Sequence, residues 1–171
     1  SETTVNKAAL HIEKAEQLGT DLISINESVY DAIVNLSTSL EETVDGNKEF
    51  KTVHYIDFAN PANNEFLVTR QFKVQGPNEV IIPDIVIFIN GMPVVVLECK
   101  SPFIEISSTE NIGKQQAFQQ LQRYMDNRGM TPPEGAQRLF YTNFFTGILN
   151  KYQAYIGTIS ANYQNYLEWK D

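Results

Sequence analysis

The sequence predicts an α/β protein in which a mixed β-sheet is flanked by helices on both faces and preceded by an N-terminal helical arm. Apolar residues recur at three- and four-residue steps over much of the first 40 positions, as in amphipathic helices. Two short runs rich in β-branched residues, 85–89 and 94–97, flank an Asn-Gly dipeptide, as in a β-hairpin. A third helical pattern follows at 113–127. We therefore expect a helical region at 1–45 and the α/β core of the fold at 46–171, together forming one compact domain.

The arm is predicted to contain two helices. The first covers 3–18, with Gly19 as its C-terminal stop. The second carries one apolar stripe, formed by Leu22, Ile25, Val29, Ile33, Leu36 and Leu40. Glu27 lies away from this stripe and is interpreted as a solvated surface residue.

Two strands are expected between the arm and the hairpin. The acidic stretch 41–49 is interpreted as a loop that turns at Asp45-Gly46. The segments 51–58 and 65–74 have strand-like patterns, and Asn-Pro and Asn-Asn turn signals separate them. Asp57 stands directly ahead of this turn, which favours turn capping over a role as a metal ligand.

The hairpin carries charged residues at the ends of its strands. Successive side chains point to opposite faces of a strand, so Glu98 and Lys100 share one face, while Cys99 is expected to be a small core residue on the other. The position of Asp84 depends on the register. A three-residue loop or a bulge places Asp84 opposite Glu98, whereas an unbulged two-residue turn places them on opposite faces. Pro93 favours the longer loop, because proline cannot donate a ladder hydrogen bond.

Two neighbouring carboxylates point to a divalent cation. They repel each other unless a cation lies between them, and oxygen ligands suit a hard ion such as Mg²⁺. The alternative is that Asp84 and Glu98 are solvated residues at the strand ends, and that Lys100 is a gatekeeper residue that only prevents the strand from pairing with another chain. Composition alone produces this spacing in roughly one chain in fifteen of this length. The interpretation as a metal site therefore depends mainly on the position of these residues at the ends of two paired strands.

Residues after the hairpin predict a loop at 103–112 and a helix at 113–127 that is capped by Gly129. Gln120 and Tyr124 are four residues apart and lie on one face of that helix. From the residues alone, Tyr124 is best interpreted as a core aromatic and Gln120 as a surface residue.

The C-terminal part of the chain is rich in aromatic residues. Strands are expected at 138–144 and 153–159, followed by a short helical piece at 163–170. The aromatic side chains follow no single period, which favours a place in the core over stacking on nucleic-acid bases.

Composition and charge limit the possible functions. The net charge of −8 repels a polyanion at long range, so tight autonomous DNA binding is not expected. One cysteine excludes an internal disulfide, and two distant histidines give no zinc spacing. No GxxxxGK[ST] motif is present for ATP. We expect an intracellular protein, because the sequence has neither an apolar run of transmembrane length nor a secretory signal pattern.

Several motifs resemble one nuclease group. Pro83-Asp84 and Glu98-Cys99-Lys100 resemble the PD-(D/E)xK nuclease superfamily, and the similarity is closer to the N-terminal nuclease domain of the restriction (R) subunit of type I restriction enzymes. The resemblance runs from about residue 50 to the C-terminus through Tyr55-Ile56-Asp57-Phe58, Asn60-Pro61, Asn63-Asn64, Phe88-Ile89-Asn90-Gly91-Met92-Pro93, the QxxxY motif Gln120-Leu121-Gln122-Arg123-Tyr124, Leu139-Phe140, Thr142-Asn143 and Gly157-Thr158. Their order makes the match more specific than the catalytic triplet alone.

The resemblance implies a PD-(D/E)xK restriction-endonuclease-like core and a Mg²⁺-dependent DNA endonuclease, with Mn²⁺ as a substitute ion. The implied metal ligands are the carboxylates of Asp84 and Glu98 and the backbone carbonyl of Cys99. Lys100 would orient or deprotonate the attacking water. The QxxxY motif adds two catalytic residues, Gln120, which would contact DNA or an active-site group, and Tyr124, which would anchor it. Glu27 is also a candidate, since many members take an extra carboxylate from an early helix.

The resemblance also implies partners. In the family an ATP-driven motor follows this domain, and separate methylation and specificity subunits recognise the site. We therefore expect an excised domain of a cytoplasmic, prokaryotic complex that cuts double-stranded DNA without local sequence specificity and binds no ATP itself. Basic residues that could meet DNA are Arg70, Lys73, Lys114, Arg123 and Arg128. Two alternatives stay open: another PD-(D/E)xK nuclease of the repair or resolvase type, and a non-catalytic α/β docking module.

Overall fold

The computed structural model describes residues 2–34, 39–44, 46–101 and 112–170. The chain divides into two compact units, residues 1–65 and residues 66–171. The division at residue 45 stays a prediction. The loop expected at 103–112 lies outside the described residues, except for Ile112, which begins a helix.

The first unit begins with two helices, as predicted. Helix α1 covers Glu2–Glu16 and helix α2 covers Leu22–Val34. The buried apolar residues of the pair are Ala8, Ala15, Leu22, Val29 and Ile33. The hydroxyl of Tyr55 donates a hydrogen bond to the carbonyl of Ala8 at 3.0 Å and so ties the end of this unit to α1. Glu27 is exposed on α2, in agreement with its interpretation as a surface residue.

A β-hairpin follows where a loop was expected. Strand β1 covers Ser39–Val44 and strand β2 covers Asn47–Thr52, and they pair antiparallel with Val44 opposite Asn47. The predicted loop at 41–49 and the predicted strand at 51–58 were therefore wrong. The extension of the second helix to Leu40 was also wrong, because α2 ends at Val34 and Leu40 lies in β1. Gly46, directly before β2, has φ +82°, a left-handed conformation that glycine adopts without a steric penalty. Charged residues on both strands obscured the strand pattern in the sequence.

Asp57 caps the turn that ends the first unit, as predicted. Its carboxylate accepts hydrogen bonds from the backbone N–H of Asn60 at 2.9 Å and from Nδ2 of Asn63 at 2.7 Å. The hydrogen bond from Asn63 is the largest cause that lowers the pKa of Asp57. These bonds hold the short 3-10 helix Pro61–Asn63. The side chain of Asp57 is thus engaged in local structure.

The second unit contains a mixed six-stranded sheet, which confirms the mixed α/β class. Its strands are β3 (Phe66–Arg70), β6 (Ile85–Ile89), β7 (Met92–Cys99), β8 (Phe145–Leu149), β9 (Ala154–Gly157) and β10 (Leu167–Glu168), and a separate small hairpin is formed by β4 (Val74–Gln75) and β5 (Val80–Ile81). The strand order is β10-β9-β8-β7-β6-β3, with β7 and β8 parallel and the other neighbours antiparallel.

Helix α3, Ile112–Tyr124, connects the two parallel strands and contacts both of them. A parallel pair needs such a crossover connection. The helix buries Ala117, Leu121 and Tyr124, and the central strand buries Val94, Val95 and Val96. The face of α3 that carries Tyr124 therefore packs beside the strand that ends in Glu98 and Cys99. Helices on both faces of the sheet stay a prediction.

The segment after α3 differs from the prediction. The helix ends at Tyr124, five residues before Gly129, and the strand expected at 138–144 is instead a 3-10 helix, Gln137–Phe140, that precedes β8. This turn brings the chain to β7, where the hydroxyl of Thr142 donates to the carbonyl of Pro93 at 2.8 Å. The strand expected at 153–159 is confirmed by β9.

The last predicted element is only partly helical. A 3-10 helix covers Tyr163–Asn165, but Leu167–Glu168 pairs with β9 as the edge strand β10. Within the described residues, no helix is both long and apolar enough to cross a membrane.

Candidate active site

A β-bulge sets the register of the central hairpin. The turn has two residues, Asn90 and Gly91, with φ of +50° and +80°, so the three-residue loop expected from Pro93 was wrong. Phe88 pairs with Pro93 but Ile87 pairs with Val95, which leaves Val94 as the extra residue. Proline tolerates such a position because its missing N–H is not needed in the ladder.

The bulge restores the register in which Asp84 lies opposite Glu98. Ile85 pairs with Leu97, so the next positions along the two strands are Asp84 and Glu98. One oxygen of the Asp84 carboxylate accepts a hydrogen bond from the backbone N–H of Cys99 at 2.8 Å. The backbone carbonyl of Asp84 accepts another from Gln71 at 2.8 Å. Asp84 is thus fixed beside the end of β7.

Glu98 is a buried carboxylate with one strong partner. The residue is 4% exposed, and its Oε1 accepts a hydrogen bond from the Lys100 ammonium at 2.6 Å. The other oxygen, Oε2, is buried and has no hydrogen-bond partner among the described residues. Burial raises the pKa of Glu98, Lys100 opposes this effect, and the charge of Asp84 adds to it. The site therefore holds an incompletely satisfied acidic group.

These residues fit a divalent cation. A buried carboxylate oxygen without a donor costs free energy that a hard cation can offset. Two carboxylates whose charges repel are the expected first ligands of such an ion. Among the described residues, no cluster of three or more His, Cys, Asp or Glu side chains is present. A metal would therefore need non-side-chain ligands as well, such as the predicted carbonyl of Cys99.

Cys99 differs from its prediction as a core residue. Its side chain is exposed at the last position of β7, two residues beyond the pair formed by Leu97 and Ile85. Partial desolvation, followed by the charges of Asp84 and Glu98, raises the pKa of the Cys99 thiol. The side chain therefore stays a neutral thiol at pH 7.

Helix α3 brings the QxxxY residues to the same place. Tyr124 is 3% exposed, and its hydroxyl donates to the carbonyl of Ile82 at 3.1 Å. Burial raises the pKa of Tyr124 to about 12, a hydrogen bond with Gln120 opposes this, and the charge of Glu98 adds to it. Gln120 is half-buried and lines a cleft together with Lys100. Tyr124 is thus a buried anchor, and Gln120 faces the space beside Lys100.

The basic residues predicted to meet DNA lie in different settings. Arg70 and Lys73 are exposed. Arg123 lies 3.2 Å from the carboxylate of Glu79. The Lys114 ammonium instead donates to the carbonyl of Tyr166 at 2.8 Å and lies over the rings of Tyr155 and Tyr163, 4.4 and 4.7 Å from their centroids. Whether any of these residues, or Arg128, binds DNA stays a prediction.

We call the group formed by Lys114, Tyr155, Tyr163 and Tyr166 the Lys114 clamp. It joins the first turn of α3 to the C-terminal segment, where Tyr166 is 1% exposed and buried against Phe118. The prediction of core aromatics is confirmed for Phe140 and Tyr166, which are buried, but it was wrong for Tyr152 and Trp169, which are exposed. The role of Lys114 had no signal in the sequence, because its partners are more than 40 residues away.

Lys114→Met should lower the free energy of unfolding by about 2 kcal/mol, because it removes one charged hydrogen bond and two cation–π contacts. Urea denaturation measures this change. The control is Lys151→Met, since Lys151 is exposed and lies 5.5 Å from the ring of the exposed Tyr152. The control should change stability by less than about 0.5 kcal/mol. Equal losses in the two variants would contradict the clamp.

Comparison with known proteins gives a consistent result. Residues 2–165 match the family model described as type I restriction enzyme R protein N terminus. The chain is 30% identical over 151 residues to the type I restriction enzyme HindI endonuclease subunit of Haemophilus influenzae, covering 88% of this chain and 13% of that protein. It is 42% identical over 76 residues to a protein of Methanocaldococcus jannaschii provisionally named the type I restriction enzyme MjaIXP endonuclease subunit, covering 43% of this chain and 7% of that protein. The chain thus spans a small part of the length of these relatives.

Proposed function

Because the chain belongs to the family of type I restriction enzyme R protein N termini, we propose that it is the Mg²⁺-dependent DNA endonuclease domain of such an enzyme. The observation that carries the proposal is the pairing of Asp84 with Glu98 through the bulged hairpin, with Lys100 hydrogen-bonded to Glu98. The relatives are named endonuclease subunits, which supports a nuclease.

A PD-(D/E)xK core is the proposed architecture of the site. Asp84 precedes β6, and Glu98 and Lys100 stand at the end of the adjacent β7. The helix with Gln120 and Tyr124 contacts that strand. This arrangement supports the motif assignment, since residues distant in sequence converge beside one strand end.

The proposed ion is Mg²⁺, with Mn²⁺ as a substitute, held by Asp84, Glu98 and the backbone carbonyl of Cys99. When bound, it would neutralise charge on the phosphoryl oxygens and lower the pKa of the attacking water. The carboxylate of Asp84 is held ready by the N–H of Cys99 at 2.8 Å. The unpartnered Oε2 of Glu98 is the group that most requires a cation.

Lys100 is proposed to orient the attacking water and to offset phosphate charge. Its side-chain nitrogen is 2.6 Å from a carboxylate oxygen of Glu98, which places its hydrogen-bond donors beside the proposed metal ligands. Gln120 would contact the DNA, and Tyr124 holds the helix in place.

The place of this chain in a larger restriction enzyme is also a proposal. The chain spans 13% of the HindI subunit, so the motor that uses ATP would lie elsewhere in the parent protein. Site recognition would belong to methylation and specificity subunits. This domain would then cut double-stranded DNA without local sequence specificity, in the prokaryotic cytoplasm.

Asp84→Asn tests the proposal in the full-length R protein, assembled with its partner subunits. Cleavage of plasmid DNA should fall by on the order of 100-fold or more, while ATP hydrolysis should not change. Asp31→Asn is the matched control, since Asp31 is exposed on α2 and should leave cleavage unaffected. Retained cleavage in Asp84→Asn would favour a docking module in place of the nuclease.

A further inference from the structure

A polar cleft of about 510 Å³ extends from Lys100 along helix α3. The described residues that line it are Lys100, Gln115, Gln116, Gln119, Gln120 and Arg128. We name it the glutamine cleft. Four of the five glutamines of α3 contribute to it, and only Gln122 does not. No acidic residue lines it among those described, although the chain has a net charge of −8.

We propose that the glutamine cleft binds the sugar–phosphate backbone of one DNA strand, through Gln115, Gln116, Gln119 and Arg128. This inference rests on the proposed nuclease function and extends it. The family motif covers only Gln120 and Tyr124 on this helix. The other three glutamines and Arg128 lie outside that motif.

The position of the cleft supports a DNA strand as its occupant. Lys100 lies both in the candidate active site, bonded to Glu98, and in the wall of the cleft. A strand with its scissile phosphate near Lys100 must continue past it, and the cleft is a polar path there. The glutamines from 115 to 120 span about 7.5 Å along the helix axis, which corresponds to roughly two base-pair rises along the axis of a DNA duplex.

The chemistry of the lining supports backbone contact rather than base readout. Each amide group offers two N–H donors and one carbonyl acceptor, and phosphate and sugar oxygens accept hydrogen bonds without regard to sequence. Gln115, Gln116 and Gln119 are exposed, so their amides are accessible to a ligand. Sequence-independent contacts to the DNA backbone suit an enzyme in which other subunits recognise the DNA site.

The electrostatics of the cleft make a distinct prediction about salt. Each of its two cations already has a carboxylate nearby: Lys100 is 2.6 Å from Glu98, and Nε of Arg128 is 3.2 Å from Glu134. The guanidinium of Arg128 has further donors, so it can still meet a phosphate. Amide contacts release no counterions, whereas a cation that neutralises a phosphate contributes about 0.9 to the salt slope of binding. Substitution of the glutamines should therefore lower the affinity without changing its salt dependence, whereas substitution of Arg128 should change the salt dependence.

The test measures binding of the 171-residue chain to a fluorescent 20-base-pair duplex by anisotropy. Ca²⁺ replaces Mg²⁺ to prevent cleavage, and the titration is repeated over a series of salt concentrations. The triple variant Gln115→Ala/Gln116→Ala/Gln119→Ala should bind about 30-fold more weakly with an unchanged salt slope. Arg128→Gln should reduce the salt slope by about 0.9. Two unrelated duplex sequences should give the same result.

Gln122→Ala is the matched control, because it is the same substitution on the same helix outside the cleft. It should leave affinity within about twofold of wild type. Alanine favours helix, so the triple variant should fold, and its thermal unfolding verifies this. A triple variant that binds like wild type, or a wild-type chain that does not bind the duplex, would overturn the inference. Loss of cleavage in Asp84→Asn would still stand in that case, so the two proposals fail separately.

Discussion

Glu98→Gln is expected to remove divalent-metal binding and DNA cleavage while making the metal-free protein more stable. The substitution keeps the shape of the side chain but removes the charge. Burial raises the pKa of Glu98, which means that the folded protein disfavours the ionised form. Metal affinity should fall by on the order of 100-fold. The free energy of unfolding should rise by about 1 kcal/mol, as is common where a functional group is held at a cost in stability.

The pH dependence of stability separates this explanation from a simple packing effect. The folded-state pKa of Glu98 lies above its ordinary value of 4.5, so the folded state binds more protons than the unfolded state between these two values. The stability of the metal-free wild type should therefore fall as pH rises from about 4.5 through the raised pKa. Glu98→Gln should lack this loss.

Urea denaturation of both proteins without metal, from pH 4.5 to pH 8, measures the difference. The control is Glu13→Gln, because Glu13 is exposed on α1. It should follow the wild-type pH profile. A stability gap between Glu98→Gln and wild type that stays constant with pH would contradict the raised pKa.

Lys100→Met should strongly reduce cleavage but retain metal binding, and it should destabilise the protein. The substitution removes the 2.6 Å hydrogen bond from Lys100 to Oε1 of Glu98, and Oε2 of Glu98 has no hydrogen-bond partner among the described residues. Breaking a fully buried ion pair costs about 3–5 kcal/mol, and because the Lys100 side chain is 21% exposed we expect a loss of about 2 kcal/mol. Cleavage should fall by on the order of 100-fold.

A double-mutant cycle tests the coupling. Glu98→Gln/Lys100→Met should recover most of the stability that Lys100→Met loses, because no buried charge is left without a partner. Calorimetry should still detect Mn²⁺ binding in Lys100→Met. Lys170→Met serves as the control, since the side chain of Lys170 is 78% exposed. Additive effects of the two site substitutions would contradict the proposed pair.

The sequence predicted the central hairpin and the carboxylate pair, but for partly the wrong reason. β-Branched runs and an Asn-Gly turn are local signals, and they located both strands correctly. The register was the uncertain step. Pro93 suggested a longer loop, whereas the structure combines a two-residue turn with a bulge at Val94. A bulge depends on packing against neighbouring strands, such as the hydrogen bond from Phe144 to the carbonyl of Val94, and that contact is 50 residues away in sequence.

Other differences have the same origin. Charged residues on β1 and β2 produce no apolar alternation, so the sequence at 41–49 resembles a loop although it contributes to two paired strands. Cys99 was expected in the core because alternation assigns a face but does not say where a covering layer ends. The glutamine cleft had a local signal, the spacing of glutamines along α3. Its significance depends on Lys100 and Arg128, which only the fold brings to that face.

The most direct test of the proposed site is a calorimetric Mn²⁺ titration of the chain in the presence of a short DNA duplex, with wild type beside Asp84→Asn. The Asp84 carboxylate accepts a hydrogen bond from the backbone N–H of Cys99 at 2.8 Å, and the amide oxygen of asparagine can accept the same bond, so the substitution should weaken a ligand without disturbing the hairpin. We expect saturable binding in wild type and a loss of on the order of 100-fold in affinity in Asp84→Asn. Indistinguishable titrations of two folded proteins would contradict the metal site at the bulged hairpin.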